Sequence, residues 1–234
     1  MYKIISKYYD MMYVNDESYK SEIDKVISLV EQYKKSNGST LLDIACGTGA
    51  QAAYLQDKFT VTGIDISDEM LEIAKNKVKN AVFINADMCD FNLDSRYDVI
   101  INLYGSIGQV KSLESMQKAM KCAFKHLNQG GIFILTPWST RESFNDALVS
   151  RCKTLNLSGF CRMETVKRIS EDKIQIDYYH LISENLEVTC YTHTGIVSLF
   201  SEREYEDSIQ NVGFKILKRL QPEEFRMGAF VCTV

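Results

Sequence analysis

Three acidic residues follow apolar runs in the first half of this 234-residue chain. Asp43 lies within LLDIACGTGA, Asp65 ends the run FTVTGID, and Asp87 falls in AVFINADMCDF. Because these runs predict consecutive buried parallel strands, we expect the three carboxylates to meet at one edge of a sheet. Acids in that position can accept the hydroxyl groups of a ribose or attract a positively charged ligand.

Gly47 and Gly49 predict a tight turn between the first strand and a helix that begins near residue 50. A glycine turn at a strand's end lets the backbone approach a ligand without a Cβ in the way. The spacing also fits a dinucleotide fingerprint, but an ionised Asp43 would repel a pyrophosphate and attract an ammonium group. Asp65 follows Gly47 by 18 residues, near the usual distance of a ribose-binding acid. The pattern therefore favours a cationic nucleoside as ligand.

Taken together, the three segments resemble the cofactor motifs of class I S-adenosylmethionine-dependent methyltransferases. LLDIACGTG is similar to their first motif, TGIDIS to the segment with the ribose acid, and ADMCDF to the segment beside the adenine. The small-molecule branch that contains sugar-nucleotide N,N-dimethyltransferases is further resembled by MYKIISKYYDMMY, SYKSEID, TPWSTRESF and LFSEREYEDSI. The resemblance implies S-adenosyl-L-methionine as cofactor and methyl transfer as activity.

The resemblance also implies roles for individual residues. It places the cofactor against Tyr19, Asp43, Ala45, Gly47, Gly49, Asp65, Ile66, Asp87, Met88 and Leu103. It puts Tyr13 where a tyrosine faces the transferred methyl group, although packing of an amino-terminal helix explains this residue equally well. The acceptor is expected to contact Tyr104, Ser106, Trp138, Tyr178 and His193. For the last two, an aromatic packing face is the alternative that we favour.

Three positions depart from the aminosugar branch. Thr136 stands where that branch carries an acid, Ser139 where it has an aromatic residue, and Gly195 where it has a histidine. We therefore expect a small-molecule acceptor, an aminosugar-like amine, whose contacts differ from those of the branch. An O-methyltransferase of the same fold is one alternative, and a non-catalytic nucleoside-binding protein or a nicotinamide oxidoreductase is the other.

Apolar runs and helical patterns alternate along the chain and predict a doubly wound α/β fold. Parallel strands are expected at about 40–46, 59–65, 81–86, 97–103 and 131–137, with a closing hairpin of 214–220 and 228–234. The resemblance adds a seven-stranded sheet, mostly parallel, whose last strand is antiparallel. Ser201 and Glu204 form the capping-box pattern of a last helix, and residues 128–131 read as a turn.

Residues 138–200 break this alternation. After a short helical stretch we expect antiparallel strands at about 160–169, 173–183 and 187–199. A two-residue second turn would pair Tyr178 with Tyr191 and place His180 and His193 on one face. We therefore divide the chain into a cofactor-binding core, 1–137 and 201–234, and an antiparallel lid insertion, 138–200.

The amino-acid composition argues against several classes of ligand and partner. The net charge is −4, with basic and acidic residues interspersed, which argues against a nucleic-acid ligand. No apolar run reaches the length of a membrane span, so we expect a cytoplasmic protein without a membrane partner. Three histidines without ligand spacing predict no metal site, and seven cysteines without a C-x-x-C pair predict reduced thiols. A homodimer is the protein assembly that we consider.

Overall fold

The computed structural model describes residues 2–14, 16–144, 151–155 and 159–234, and no helix among them is long and apolar enough to cross a membrane. The helices are α1 (Tyr2–Tyr13), α2 (Asp16–Tyr33), α3 (Ala50–Leu55), α4 (Asp68–Lys77), α5 (Leu113–His126) and α6 (Glu202–Asn211). The strands are β1 (Thr40–Ile44), β2 (Thr60–Asp65), β3 (Val82–Asn85), β4 (Tyr97–Asn102), β5 (Leu127–Leu135), β6 (Arg151–Leu155), β7 (Phe160–Ser170), β8 (Lys173–Glu184), β9 (Glu187–Ser198), β10 (Lys215–Leu220) and β11 (Ala229–Thr233).

The larger sheet has seven strands in the order β10-β11-β5-β4-β1-β2-β3. Strands β1 to β5 run parallel, whereas β11 is antiparallel to both β5 and β10. This confirms the doubly wound, mostly parallel fold that the sequence predicts. Because β2 and β4 lie on opposite sides of β1, a crevice opens between the carboxyl ends of β1 and β4.

Both faces of the large sheet are buried, as in other parallel sheets covered by helices. Every residue of β4 is buried, and successive side chains enter apolar clusters on opposite faces. Val99 packs in the cluster that contains Val26 of α2, and Ile100 packs with Met116 of α5. The strand ends that line the crevice are therefore held by a core on both sides. At the last helix, the predicted capping box between Ser201 and Glu204 is present.

A second, antiparallel sheet follows β5 and has the strand order β6-β7-β8-β9. The three longer strands match the expected meander. Strand β6 is not predicted from the sequence, and residues 145–150 of the expected helical stretch lie outside the described residues. One face of this sheet packs Phe160 and Ile182 against α1, and Ile174 and Val197 against Trp138.

The expected register of β8 and β9 is wrong by two residues. Their turn lies at residues 185–186, so Tyr178 pairs with His193 and His180 with Tyr191. Since the shift is an even number, the side chains keep their faces. His180 and His193 therefore share a face, as expected, with ring centroids 5.4 Å apart.

Strand β5 also differs from the expectation. It begins at Leu127, directly after α5, and includes residues 128–131 that the sequence predicts as a separate turn. The pairing with β4 shifts between Tyr97 and Val99, which accommodates these residues as an irregularity within the strand. Gly130 has a φ of 73°, a conformation that glycine adopts without strain.

Candidate active site

Asp43, the fourth residue of β1, is 1% exposed. Neither of its carboxylate oxygens has a hydrogen-bond partner among the described residues. Burial, and secondarily the charge of Asp65, raises the pKa of Asp43 well above its usual value. Leaving a buried polar group without a partner costs about 1–3 kcal/mol, and more when it is charged. A ligand that brings a donor or a positive charge to this carboxylate would remove that cost.

The glycine turn after β1 has two distinct functions. Ala45, Gly47 and Gly49 have φ values of 62°, 54° and 70°. A Cβ at Gly47 would meet nothing within 4 Å, so the turn exposes bare backbone there. A Cβ at Gly49 would lie 3.0 Å from Ala74 Cβ and 3.1 Å from Phe83 Cζ. Gly49 therefore permits close packing of α3, and Gly47 leaves room for a ligand.

Asp65 ends β2 and is held by two backbone groups. Its Oδ2 accepts a hydrogen bond from the Gly47 N–H at 2.8 Å, and its Oδ1 accepts one from the Ser67 N–H at 2.9 Å. Burial raises the pKa of Asp65, and these backbone donors oppose the rise. Each oxygen keeps lone-pair capacity for a ribose hydroxyl group. Beside it, the side chain of Ile66 is 68% exposed and forms an apolar surface.

Asp87 and Met88 follow β3 at the same edge of the sheet. The Ala86 N–H donates to the Asp65 carbonyl oxygen at 3.0 Å, which ties this loop to the end of β2. The exposed Asp87 carboxylate accepts a hydrogen bond from the Cys89 N–H at 2.8 Å. Met88 packs beneath the loop against the cluster that contains Ile44. The three acids thus share one edge, as the sequence predicts.

A tight turn after β4 directs Tyr104 toward the crevice. Tyr104 has a φ of 56°, an uncommon conformation for an aromatic residue, and Gly105 follows with a φ of 70°. A Cβ at Gly105 would lie 2.7 Å from Trp138 Cδ1, so only glycine fits without a rearrangement. The Tyr104 ring stacks on Tyr19 of α2 at 5.1 Å between centroids. Burial raises the pKa of both hydroxyl groups, which therefore stay protonated.

A cavity of about 540 Å³ lies over this edge of the sheet. Nine of the predicted site residues line it, namely Tyr13, Tyr19, Ala45, Gly47, Leu103, Tyr104, Ser106, Trp138 and Tyr178. Seven others are not on its wall, namely Asp43, Gly49, Asp65, Ile66, Asp87, Met88 and His193. The volume is that of a typical small-molecule site. One continuous cavity therefore connects the β1–β4 crevice with the second sheet.

Arg162 of β7 is a cavity residue that the sequence does not predict. Its guanidinium lies between the rings of Tyr13 and Tyr178, 5.0 Å and 4.8 Å from their centroids. It donates hydrogen bonds to the Tyr13 hydroxyl oxygen and to the carboxylate of Glu164, which also lines the cavity. Arg162 therefore fixes the position of Tyr13 relative to the second sheet.

His193 lies behind the cavity wall. Its ring stacks on Tyr178, with centroids 4.4 Å apart, and on His180. Burial, and secondarily the charge of His180, lowers the pKa of His193 to about 4. The ring is therefore neutral near pH 7. In this arrangement His193 packs against Tyr178 and supports its orientation, in keeping with the aromatic packing face expected for these two residues.

Helix α1 lies between the two sheets. Asp10 accepts a hydrogen bond from the Thr48 hydroxyl at 2.5 Å and pairs with Lys77 of α4. Earlier in the helix, Lys7 and Tyr8 both contact the Glu184 carboxylate of β8. Tyr9, Tyr13 and Val14 line the cavity from this side. Helix α1 thus covers the cavity and connects the glycine turn with the second sheet.

The residues fit S-adenosyl-L-methionine by their chemistry. Asp43 offers a buried carboxylate without a partner, Gly47 offers open backbone, and Asp65 offers oriented oxygens for a ribose. Aromatic rings line the adjoining cavity, where they can contact a positively charged sulfur. Among the described residues, no group of three or more His, Cys, Asp or Glu side chains could hold a metal ion.

Comparisons with known proteins agree with this site. Residues 41–131, which contain the strand-end acids and the glycine turn, match the family model described as "Methyltransferase domain". The chain is 26% identical over 216 residues to dTDP-3-amino-3,4,6-trideoxy-alpha-D-glucopyranose N,N-dimethyltransferase of Streptomyces venezuelae, with 89% of each chain covered. It is 27% identical over 220 residues to dTDP-3-amino-3,6-dideoxy-alpha-D-glucopyranose N,N-dimethyltransferase of Streptomyces fradiae, covering 91% of this chain and 84% of the relative.

Solved structures share the whole architecture. DesVI from Streptomyces venezuelae superposes with a TM-score of 0.87 at 24% identity, covering 97% of both chains. The sugar N-methyltransferase KedS8 from Streptoalloteichus superposes with a TM-score of 0.85 at 25% identity, covering 96% of this chain and 92% of KedS8. Fold, site and comparisons together define an S-adenosylmethionine-dependent methyltransferase. The resemblance to sugar-nucleotide N,N-dimethyltransferases stated from the sequence is confirmed.

Proposed function

We propose that this methyltransferase acts on the amine nitrogen of a small, aminosugar-like acceptor. The observation that carries the proposal is the single cavity that joins the β1–β4 crevice to an aromatic wall of the second sheet. A donor in the crevice and an acceptor under Trp138 and Tyr178 would therefore share one enclosed space. The relatives are named as N,N-dimethyltransferases of dTDP-linked aminosugars, and this supports an amine as the acceptor.

In the proposed mechanism, the protein accelerates the reaction mainly by aligning the acceptor with the methyl group of the cofactor. The bound cofactor supplies a methyl group on a positively charged sulfur, which is already a strong electrophile. The protein must then hold the acceptor lone pair in line with that methyl group, and orientation can supply about 7–11 kcal/mol of such a barrier. In this proposal Tyr13 orients the acceptor and the aromatic walls exclude water, which the hydrogen bond from Arg162 to Tyr13 and the rings that line the cavity support. An amine must lose its proton before attack, so the rate should rise with pH through the acceptor's pKa.

In this proposal, one part of the chain binds the cofactor and the other part selects the acceptor. Residues 1–137 and 201–234 bind the cofactor, and residues 138–200 form a lid that selects the acceptor. Trp138, Phe144, Tyr178 and Val197 support this division, since they belong to the second part and line the cavity opposite the glycine turn. Ser139 also lines it, at a position where the aminosugar branch carries an aromatic residue.

Mass spectrometry of the product tests the proposal. The enzyme is incubated with methyl-labelled S-adenosylmethionine and either a nucleotide-linked aminosugar or the matched sugar with a hydroxyl group in place of the amine. We expect label on nitrogen with the aminosugar and none with the matched compound. Label on oxygen with both compounds would replace the amine proposal by O-methylation.

A further inference from the structure

Arg226 lies in the loop between β10 and β11, on the wall of the cavity. The loop is anchored by Phe225, which is 3% exposed, and by a hydrogen bond of 2.7 Å from the Gly228 N–H to the Phe225 carbonyl oxygen. Met227 and Gly228 have φ values of 66° and 70°, so the backbone turns sharply directly after Arg226. The Arg226 guanidinium lies 5.8 Å from the ring centroid of Tyr104.

Among the described residues, three side chains that line the cavity carry a full charge, namely Arg162, Glu164 and Arg226. The first two pair with each other and neutralise one another. Arg226 makes no ion pair or hydrogen bond with any residue that the structure describes. It therefore adds a positive charge without an ion pair to a wall whose other residues are uncharged or belong to the Arg162–Glu164 pair, and such a charge attracts an anion.

One charged group of the cofactor, a carboxylate, still lacks a cationic partner among the residues described above. The sulfonium and ammonium groups of the cofactor are cations, which the buried Asp43 carboxylate and the aromatic rings can stabilise. Its remaining charged group is the carboxylate of the methionine part, which needs a cation or strong donors when water is excluded. Arg226 stands beside Tyr104, whose ring stacks on Tyr19, at the end of β4 next to β1.

We propose that Arg226 binds the carboxylate of the methionine part of S-adenosylmethionine. The planar guanidinium can donate two parallel hydrogen bonds to a carboxylate, which fixes its orientation as well as its charge. This inference rests on the cofactor and does not depend on the amine acceptor proposed above.

Calorimetric binding of two ligands tests the assignment without turnover. S-adenosylhomocysteine carries the amino-acid part, whereas 5′-methylthioadenosine lacks it. We expect Arg226→Gln to weaken S-adenosylhomocysteine binding by about 10- to 100-fold, the range for a lost hydrogen bond to a charged group. Methylthioadenosine binding should stay unchanged, and Arg226→Lys should restore part of the lost affinity.

Arg203→Gln is the matched control, because Arg203 lies on α6, is largely exposed and does not line the cavity. This variant should bind both ligands as the wild type does. If Arg226→Gln and Arg226→Lys both bind S-adenosylhomocysteine with wild-type affinity, the proposal is wrong. A raised KM for the acceptor alone would then assign Arg226 to an anionic group of the acceptor. Equal losses for both ligands would also contradict it, since they indicate a disturbed fold.

Discussion

Asp43 is expected to affect both cofactor binding and the stability of the ligand-free protein. Its carboxylate is buried without a partner, and burial raises its pKa, so the protonated form is favoured in the ligand-free protein. The protonated carboxyl group of Asp43 is compatible with burial, and because its pKa is raised in the folded state, its contribution to stability is complete below the usual pKa of an aspartate. The contribution is lost as pH rises through the raised folded-state value.

Asp43→Asn should remove this dependence, because an amide does not ionise. We expect the melting temperature of the ligand-free variant to gain on that of the wild type as pH rises from the usual pKa of an aspartate to the raised folded-state pKa, and the difference to stay constant above it. The variant should also bind the cofactor more weakly. Thermal unfolding across a pH series, with and without S-adenosylmethionine, measures both effects. A constant difference between the two melting curves at all pH values would contradict this account.

Tyr13 offers a second prediction at the residue scale. Its hydroxyl oxygen accepts a hydrogen bond from Arg162, so we assign it to orientation of the acceptor. Tyr13→Phe should lower kcat by less than the roughly 10²–10⁴-fold range expected for loss of a general base. Steady-state kinetics with saturating cofactor measure the change. A loss within that range or beyond it would contradict the assignment and give Tyr13 a part in the chemical step.

The site residues that the sequence predicts and those that it misses differ in how the fold brings them to the site. Asp43, Asp65 and Asp87 end consecutive strands, and a local pattern is enough to place them at one edge. Arg162 reaches the cavity through the pairing of β7 with β8, and Arg226 through a loop held by a buried phenylalanine. No local motif marks such positions, so sequence reasoning could not single them out.

At the scale of elements, strand β8 presents neighbouring tyrosines on opposite faces. Tyr178 lines the cavity, whereas Tyr179 is 38% exposed on the other face. Tyr178→Ala should raise the KM of the acceptor at least about tenfold, because it removes a large part of the aromatic wall. Cofactor affinity should change little, since the crevice is formed by other elements.

Tyr179→Ala is the control for this experiment, because it removes the same side chain from the same strand outside the cavity. It should leave both constants near their wild-type values. If both variants raise the KM equally, the effect comes from a weakened sheet. If neither does, the second sheet does not select the acceptor.

The register of β8 and β9 shows why element boundaries were harder to predict than element types. Asn185 and Leu186 occupy the turn with φ values of 51° and 65°, and no Asn-Gly or Gly-Gly pair marks that turn in the sequence. Two neighbouring placements of the turn were therefore equally compatible with the strand pattern. The alternation of apolar side chains was still sufficient to predict the faces.

At the scale of the whole molecule, the predicted fold agrees with the structure more closely than the predicted element boundaries do. Alternating apolar and helical patterns predict the sheet and its layers, because each buried strand must be covered on both faces. The lid division, the homodimer, the cytoplasmic location and the lack of a nucleic-acid ligand stay predictions. They concern surfaces and partners that the fold by itself does not specify.

Catalysis without a metal ion is a prediction for the whole enzyme. The donor is activated by its own positive charge, so alignment alone is expected to supply most of the rate. Turnover measured before and after treatment with a chelator should therefore be equal. If chelation abolishes turnover and a divalent ion restores it, a metal-dependent mechanism replaces the one proposed.

The central claim is that the strand-end acids bind the cofactor, and calorimetry on Asp65 tests it most directly. Wild-type protein should bind one S-adenosylmethionine per chain. Asp65→Ala should weaken that binding by about 1.5–3 kcal/mol, the value typical of hydrogen bonds to a charged group, because it removes the acceptor of the ribose hydroxyl groups. Unchanged affinity in a folded variant would contradict the account.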